Sequence, residues 1–109
     1  MEPVSVYVTA PDEETARKLA RLAIERRLAA CATMLPAQSI YTWEGRLQEA
    51  REVVLFLKTR RSLVPDLTRA LEEEHPYEVP CIVALPIVGG AQAYLDWVEA
   101  ETAPAHRPA

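Results

Sequence analysis

Residues 28–59, LAACATMLPAQSIYTWEGRLQEAREVVLFLKT, decide the fold. Glu44-Gly45 reads as a tight hairpin turn, because Gly supplies the positive φ that a two-residue connection needs. Before it lies a small-residue apolar run containing Cys31, directly ahead of Pro36, and then β-prone residues 39–43. The pair Pro36-Ala37 predicts a bend in this arm, since proline cannot donate to a ladder. The return arm is charged at first (Arg46, Gln48, Glu49, Arg51, Glu52) and then solidly apolar through Val53-Val54-Leu55-Phe56-Leu57. At about 3.3 Å per residue the arms 30–43 and 46–59 each reach roughly 45 Å.

On the N-terminal side, Val4, Val6 and Val8 alternate with Ser5, Tyr7 and Thr9, the period of a strand. Pro11, Asp12, Glu13 and Glu14 suit the first turn of a helix. Ala16, Leu19, Ala20, Ala23 and Ile24 then recur at helical spacing up to about Arg27. On the C-terminal side, Ser62 is a candidate cap for a second helix with Pro65 in its first turn. Leu63, Val64, Leu67, Ala70 and Leu71 form its apolar stripe, and Pro76 ends it. Residues 81–85 are wholly apolar and read as a buried fourth strand. A short third helix follows Gly89-Gly90, with Ala91, Tyr94, Leu95 and Val98 inward.

The order β-α-β-β-α-β-α predicts an α+β chain of the ferredoxin-like split-βαβ kind. It combines an antiparallel sheet, a long β-hairpin and an extra C-terminal helix. Residues 1–101 form the domain and 102–109 a flexible tail. The second and fourth strands fall on opposite edges, which separates Cys31 from Cys81 and argues against a disulfide between them. Both thiols read as buried members of apolar segments. The outer strands span roughly 20 Å by the same rise, so the hairpin must project beyond the sheet and expose Tyr41, Trp43 and Leu47. Long free edges need cover. Pairing with other copies in a closed ring supplies it; a hairpin folded back at Pro36 is the alternative.

With 109 residues, half of them apolar, the chain is one domain with a real core. A net charge of −4 excludes a general phosphate-backbone binder, so no nucleic acid is expected as partner. No apolar run approaches a membrane span, and Met1-Glu2-Pro3 does not open a signal peptide, so a cytoplasmic protein is expected, with no membrane partner. The absence of Asn, the nine prolines and ten Arg against two Lys predict a thermostable protein.

Catalytic signatures are absent: three glycines leave no nucleotide fingerprint or P-loop, and no serine sits in a nucleophile elbow. No enzyme and no organic cofactor are expected. One polar cluster remains, Glu72-Glu73-Glu74-His75 with Tyr77, Glu78 and Cys81. Imidazole, carboxylate and thiolate are ligand types of copper and zinc, which makes His75 a candidate metal ligand and Glu74 a weaker one. The plain alternative is a solvated helix end with His75 capping terminal carbonyls. Lys58 with Arg60-Arg61 could likewise offer an anion site or simply a solvated entry to the helix.

Leu28-Ala29-Ala30-Cys31-Ala32, Tyr41-Thr42-Trp43-Glu44-Gly45-Arg46, Lys58-Thr59, His75-Pro76-Tyr77-Glu78-Val79-Pro80 and Tyr94-Leu95-Asp96-Trp97 occur together at characteristic spacings. On these segments the chain resembles the CutA family of divalent-cation tolerance proteins over about residues 4–101. The resemblance implies a cytoplasmic, non-enzymatic homotrimer with interlocking hairpins, similar in architecture to the PII signalling trimers and linked to tolerance of copper and other divalent metal ions. It implies an intersubunit cleft lined by Tyr41, Trp43, Lys58 and Tyr77. The family's copper ligands carry over poorly: Val8 stands where the first-strand Cys is expected, and Glu74-His75 replaces a His pair, so only His75 matches. Two functions follow as expectations, weak binding of a divalent metal at or near the cleft, or a PII-like module binding a small anionic ligand.

Overall fold

Alternation and register build the sheet. The computed structural model describes residues 1–103. In chain order it contains β1 (Pro3–Ala10), α1 (Glu13–Glu25), β2 (Cys31–Trp43), β3 (Arg46–Arg60), α2 (Val64–Glu74), β4 (Ile82–Pro86) and α3 (Gln92–Glu101). The strands are ordered β2-β3-β1-β4, all antiparallel. This is the predicted ferredoxin-like α+β arrangement, with β2 and β4 on the edges. Val4, Val6 and Val8 stand opposite Thr59, Leu57 and Leu55, so these residues share one face. That face packs on Ala16, Leu19, Ala20 and Ala23 of α1 and Leu67 and Leu71 of α2.

Local chemistry sets the helix ends. Asp12 caps α1: its carboxylate accepts the Thr15 amide at 2.7 Å, which also lowers the Asp12 pKa. After α1, Arg27 takes φ +58°. Its carbonyl accepts the Ala103 amide at 2.8 Å, and its guanidinium reaches the Ala100 carbonyl at 3.1 Å. Arg60 completes the anchorage, donating to Thr102 Oγ1 at 3.0 Å and to the Glu99 carbonyl at 2.7 Å. Thr102, the first residue of the expected tail, is therefore buried. The rest of that expected tail, 104–109, lies outside the described residues. Ser62 does not cap α2; residues Arg61–Leu63 form a 3-10 turn, and Leu63 precedes the helix with no side-chain cap.

The hairpin turns at Glu44 (φ +51°) and Gly45 (φ +76°), both left-handed as a two-residue connection requires. Thirteen Cα pairs, from Cys31–Lys58 to Trp43–Arg46, run without interruption. Pro36 pairs with Val53 inside this ladder, so the expected bend is absent and the hairpin does not fold back. Its place on an edge strand is where proline is tolerated. β1 pairs with β3 only as far as Val53, so the seven residues 46–52 pair with β2 as their only neighbour strand and the hairpin projects about 23 Å. The chain is accordingly 45 Å in its longest dimension. Ile40, Tyr41, Trp43 and Leu47 are exposed on the projection.

Three expected burials differ. β4 is an edge strand with Val83 and Leu85 exposed, Ala91 and Tyr94 are exposed while Val98 of α3 is buried, and the thiols are half-buried (Cys31) or exposed (Cys81). All sit on sheet edges or on α3, where a single chain leaves one side open.

Candidate functional site

The root of the hairpin gathers the polar side chains. Glu52 follows the last β1–β3 pair on β3 and stands opposite Ala37 of β2. It is only 7% exposed. A buried carboxylate needs a donor, and the Tyr77 hydroxyl supplies it at 2.7 Å. Burial first, and the Glu52 carboxylate second, push the Tyr77 phenol well above the usual tyrosine range. Tyr41 and Asp12 add smaller contributions of the same sign.

His75 directs Tyr77 into place. Its backbone leaves α2 in an extended conformation, as the following proline demands. The Tyr77 amide donates to His75 Nδ1 at 3.1 Å, so that nitrogen carries no proton. Nε2 then carries it and donates to the Thr9 carbonyl at 2.7 Å. The ring is buried, lies 4.8 Å from the Tyr77 ring, and has both nitrogens engaged. It ties the loop to β1 and does not cap the carbonyls of α2. Glu74 turns elsewhere, to the Lys18 ammonium at 3.2 Å. The structure thus does not bring Glu74 and His75 together as a ligand pair, and among the described residues no three His, Cys, Asp or Glu side chains converge to hold a metal. Cys81 joins the rim; partial desolvation and then the Glu52 carboxylate raise its thiol pKa.

The four expected cleft residues divide into two groups. Tyr41 and Trp43 share a face of β2 on the projecting hairpin, and Tyr77 bonds to Glu52 at its root. Lys58 is at the other end of β3, opposite Cys31, while Tyr41 is opposite Gln48. Ten residues along a strand are about 33 Å, so one chain cannot close a cleft around all four. Sequence reasoning missed Glu52, which reads as one charge among several on the return arm. Strand parity is the signal that could have found it, since Glu52 shares a face with Val54 and Phe56.

A sequence profile described as CutA1 divalent ion tolerance protein matches residues 4–101. The divalent-cation tolerance protein CutA of Thermus thermophilus is 46% identical over 103 residues, covering 94% of this chain and 99% of that protein. The chloroplastic protein CutA of Arabidopsis thaliana is 43% identical over 100 residues, covering 91% of this chain and 55% of that protein. The chain thus spans about half the length of the plant and animal relatives it matches. The crystal structure of CutA1 from Oryza sativa superposes with a TM-score of 0.92 at 41% identity, over 94% of this chain and 95% of that one.

Proposed function

The chain belongs to the CutA1 divalent ion tolerance family, and from that premise we propose a homotrimer that serves tolerance of divalent cations, copper foremost, without catalysing a reaction. The observation that supports this most is the projecting hairpin. Seven residues of β3 lack a second neighbour strand, β2 has a free edge along its whole length, and four large apolar side chains stand exposed near the tip. A closed ring of copies covers such edges without leaving a growing end. It also brings the Tyr41–Tyr77 end of one subunit to the Lys58 end of another, forming the cleft that one chain cannot. The protein works in the cytoplasm in this reading. Copper or zinc binds weakly at or near the cleft, because His75 yields a ring nitrogen only by giving up Thr9 or the Tyr77 amide.

Light scattering with in-line metal analysis on untagged protein tests this. The expected mass is three chains of 12.2 kDa; a single-chain mass rejects the assembly. Cu²⁺ titration should show His75→Ala binding more weakly than wild type, and equal binding removes His75 as a ligand. With the hairpins interlocked, the protein should melt above about 90 °C, and a mesophile-like transition in a thermal scan rejects that expectation.

One observation favours a second reading, a PII-like module whose cleft takes a small anionic ligand. Lys58 carries a positive charge on a central strand and forms no ion pair among the described residues.

A further inference from the structure

Lys58 belongs to a row of side chains that crosses the whole sheet. Its Cα partners are Ser5 on β1 and Cys31 on β2, and Ser5 is in turn opposite Leu85 on β4. Direct cross-strand partners share a face, with Cβ atoms about 5 Å apart. The neighbouring row on that face is Val83, Tyr7, Phe56 and Thr33, with the Tyr7 and Phe56 rings 5.6 Å apart edge to face. A lysine thus stands in a largely apolar surface. The nearest acid on its own face of β3, Glu52, is six residues away, roughly 20 Å at strand rise and beyond the Debye length of about 8 Å.

Two further observations mark the row. Ser5 Oγ is buried and has no hydrogen-bond partner among the described residues. At the β2 end, Cys31 Sγ and Tyr94 Oη are 3.0 Å apart, which holds α3 to the edge of the row. The hydrogen bond with Cys31 is the chief reason the Tyr94 phenol is pushed up to about 12. The phenol is therefore neutral at physiological pH and adds no negative charge to the row.

We propose that the row of Ser5 and Lys58, closed at its β2 end by Cys31 and Tyr94, binds a small oxyanion, a phosphate or a carboxylate. Such a ligand answers both deficits at once: it neutralises the ammonium, and it accepts a hydrogen bond from the Ser5 hydroxyl. A cation would be repelled by Lys58, and a neutral acceptor would leave the charge uncompensated. The proposal rests on the second reading above and deepens it by naming the ligand class and a serine that the cleft residues did not include.

Calorimetric titration of the intact, untagged protein with inorganic phosphate and separately with acetate, in chloride buffer, tests it. Wild type is expected to bind at least one probe; phosphate alone points to a phosphate ligand and acetate alone to a carboxylate. Lys58→Met should weaken binding at least about tenfold, the loss of a charge-assisted contact, while Lys58→Arg retains it. Ser5→Ala should weaken it several-fold. Silence with both probes overturns the proposal, as does equal binding by Lys58→Met. Should Lys58→Met fail to fold, unchanged affinity in Ser5→Ala overturns it instead. Light scattering and a Cu²⁺ titration on the same samples separate this failure from failure of the assembly or of the metal reading.

Discussion

Changing Tyr41 and Trp43 together to Asp is expected to reduce the proposed trimer to single chains. In a single chain these side chains are 42% and 40% exposed, so much of each ring is left for a neighbouring copy to cover. Covering the remaining exposed part of such a ring is worth about 1 kcal/mol. A charge placed in the same contact adds a desolvation cost of similar or larger size. In a closed trimer each change is repeated in every interface, so association loses a multiple of these amounts. The subunit itself should still fold. Its core of Val6, Val8, Leu19, Leu55, Leu57 and Leu67 lies between the sheet and α1 and α2, beyond the root of the hairpin. Light scattering should report one chain of 12.2 kDa, circular dichroism a folded one, and the melting temperature should fall by tens of degrees. Retention of the three-chain mass with an unchanged transition would remove the hairpin as the assembly element.

What the sequence made legible was local. The Val4-Val6-Val8 alternation, the Glu44-Gly45 turn and the helical stripe from Ala16 to Ala23 are short-range patterns, and the structure carries each of them. The errors of burial share one cause. An apolar run tells that a surface is covered and not what covers it. Residues 81–85 and Tyr94 are apolar as a buried surface would be, yet one chain leaves Val83, Leu85 and Tyr94 exposed. Pro36 was read for its missing donor, but an edge strand makes that donor dispensable.

The candidate site was harder to read because its contacts are distant. Tyr77 bonds to Glu52, 25 positions away, and nothing near either residue signals the pairing. His75 has the ligand chemistry of a metal site, but its partner 66 positions away is a backbone carbonyl, and a backbone carbonyl has no sequence signature. The resemblance supplied positions for Tyr41, Trp43, Lys58 and Tyr77. Only the register shows that Lys58 is too far from the others to meet them within one chain.

The Tyr77–Glu52 bond carries the second large effect. Tyr77→Phe keeps the ring against His75 but removes the donor to a carboxylate that is 7% exposed. Leaving a buried charged acceptor without its hydrogen bond costs about 1.5–3 kcal/mol, so the urea midpoint at neutral pH should drop clearly. The pH dependence has a definite sign. Folding raises the pKa of the Tyr77 phenol, of the Tyr94 phenol to about 12, and of the Cys81 thiol. Between the unfolded and folded values the native state therefore holds protons that the unfolded chain has released. Stability contributed by these groups is fully present below about pH 8, and it is lost as the pH rises first through the unfolded thiol range and then through the tyrosine range near 10 and above. Wild type should lose stability steadily in that alkaline window, while Tyr77→Phe starts lower and falls less steeply, since one of the three groups is gone. Urea unfolding of the two proteins at pH values from about 7 to about 11.5 decides it. Parallel curves would mean that Tyr77 gives up its proton as readily folded as unfolded, and the Glu52 contact would then not hold the loop to the hairpin.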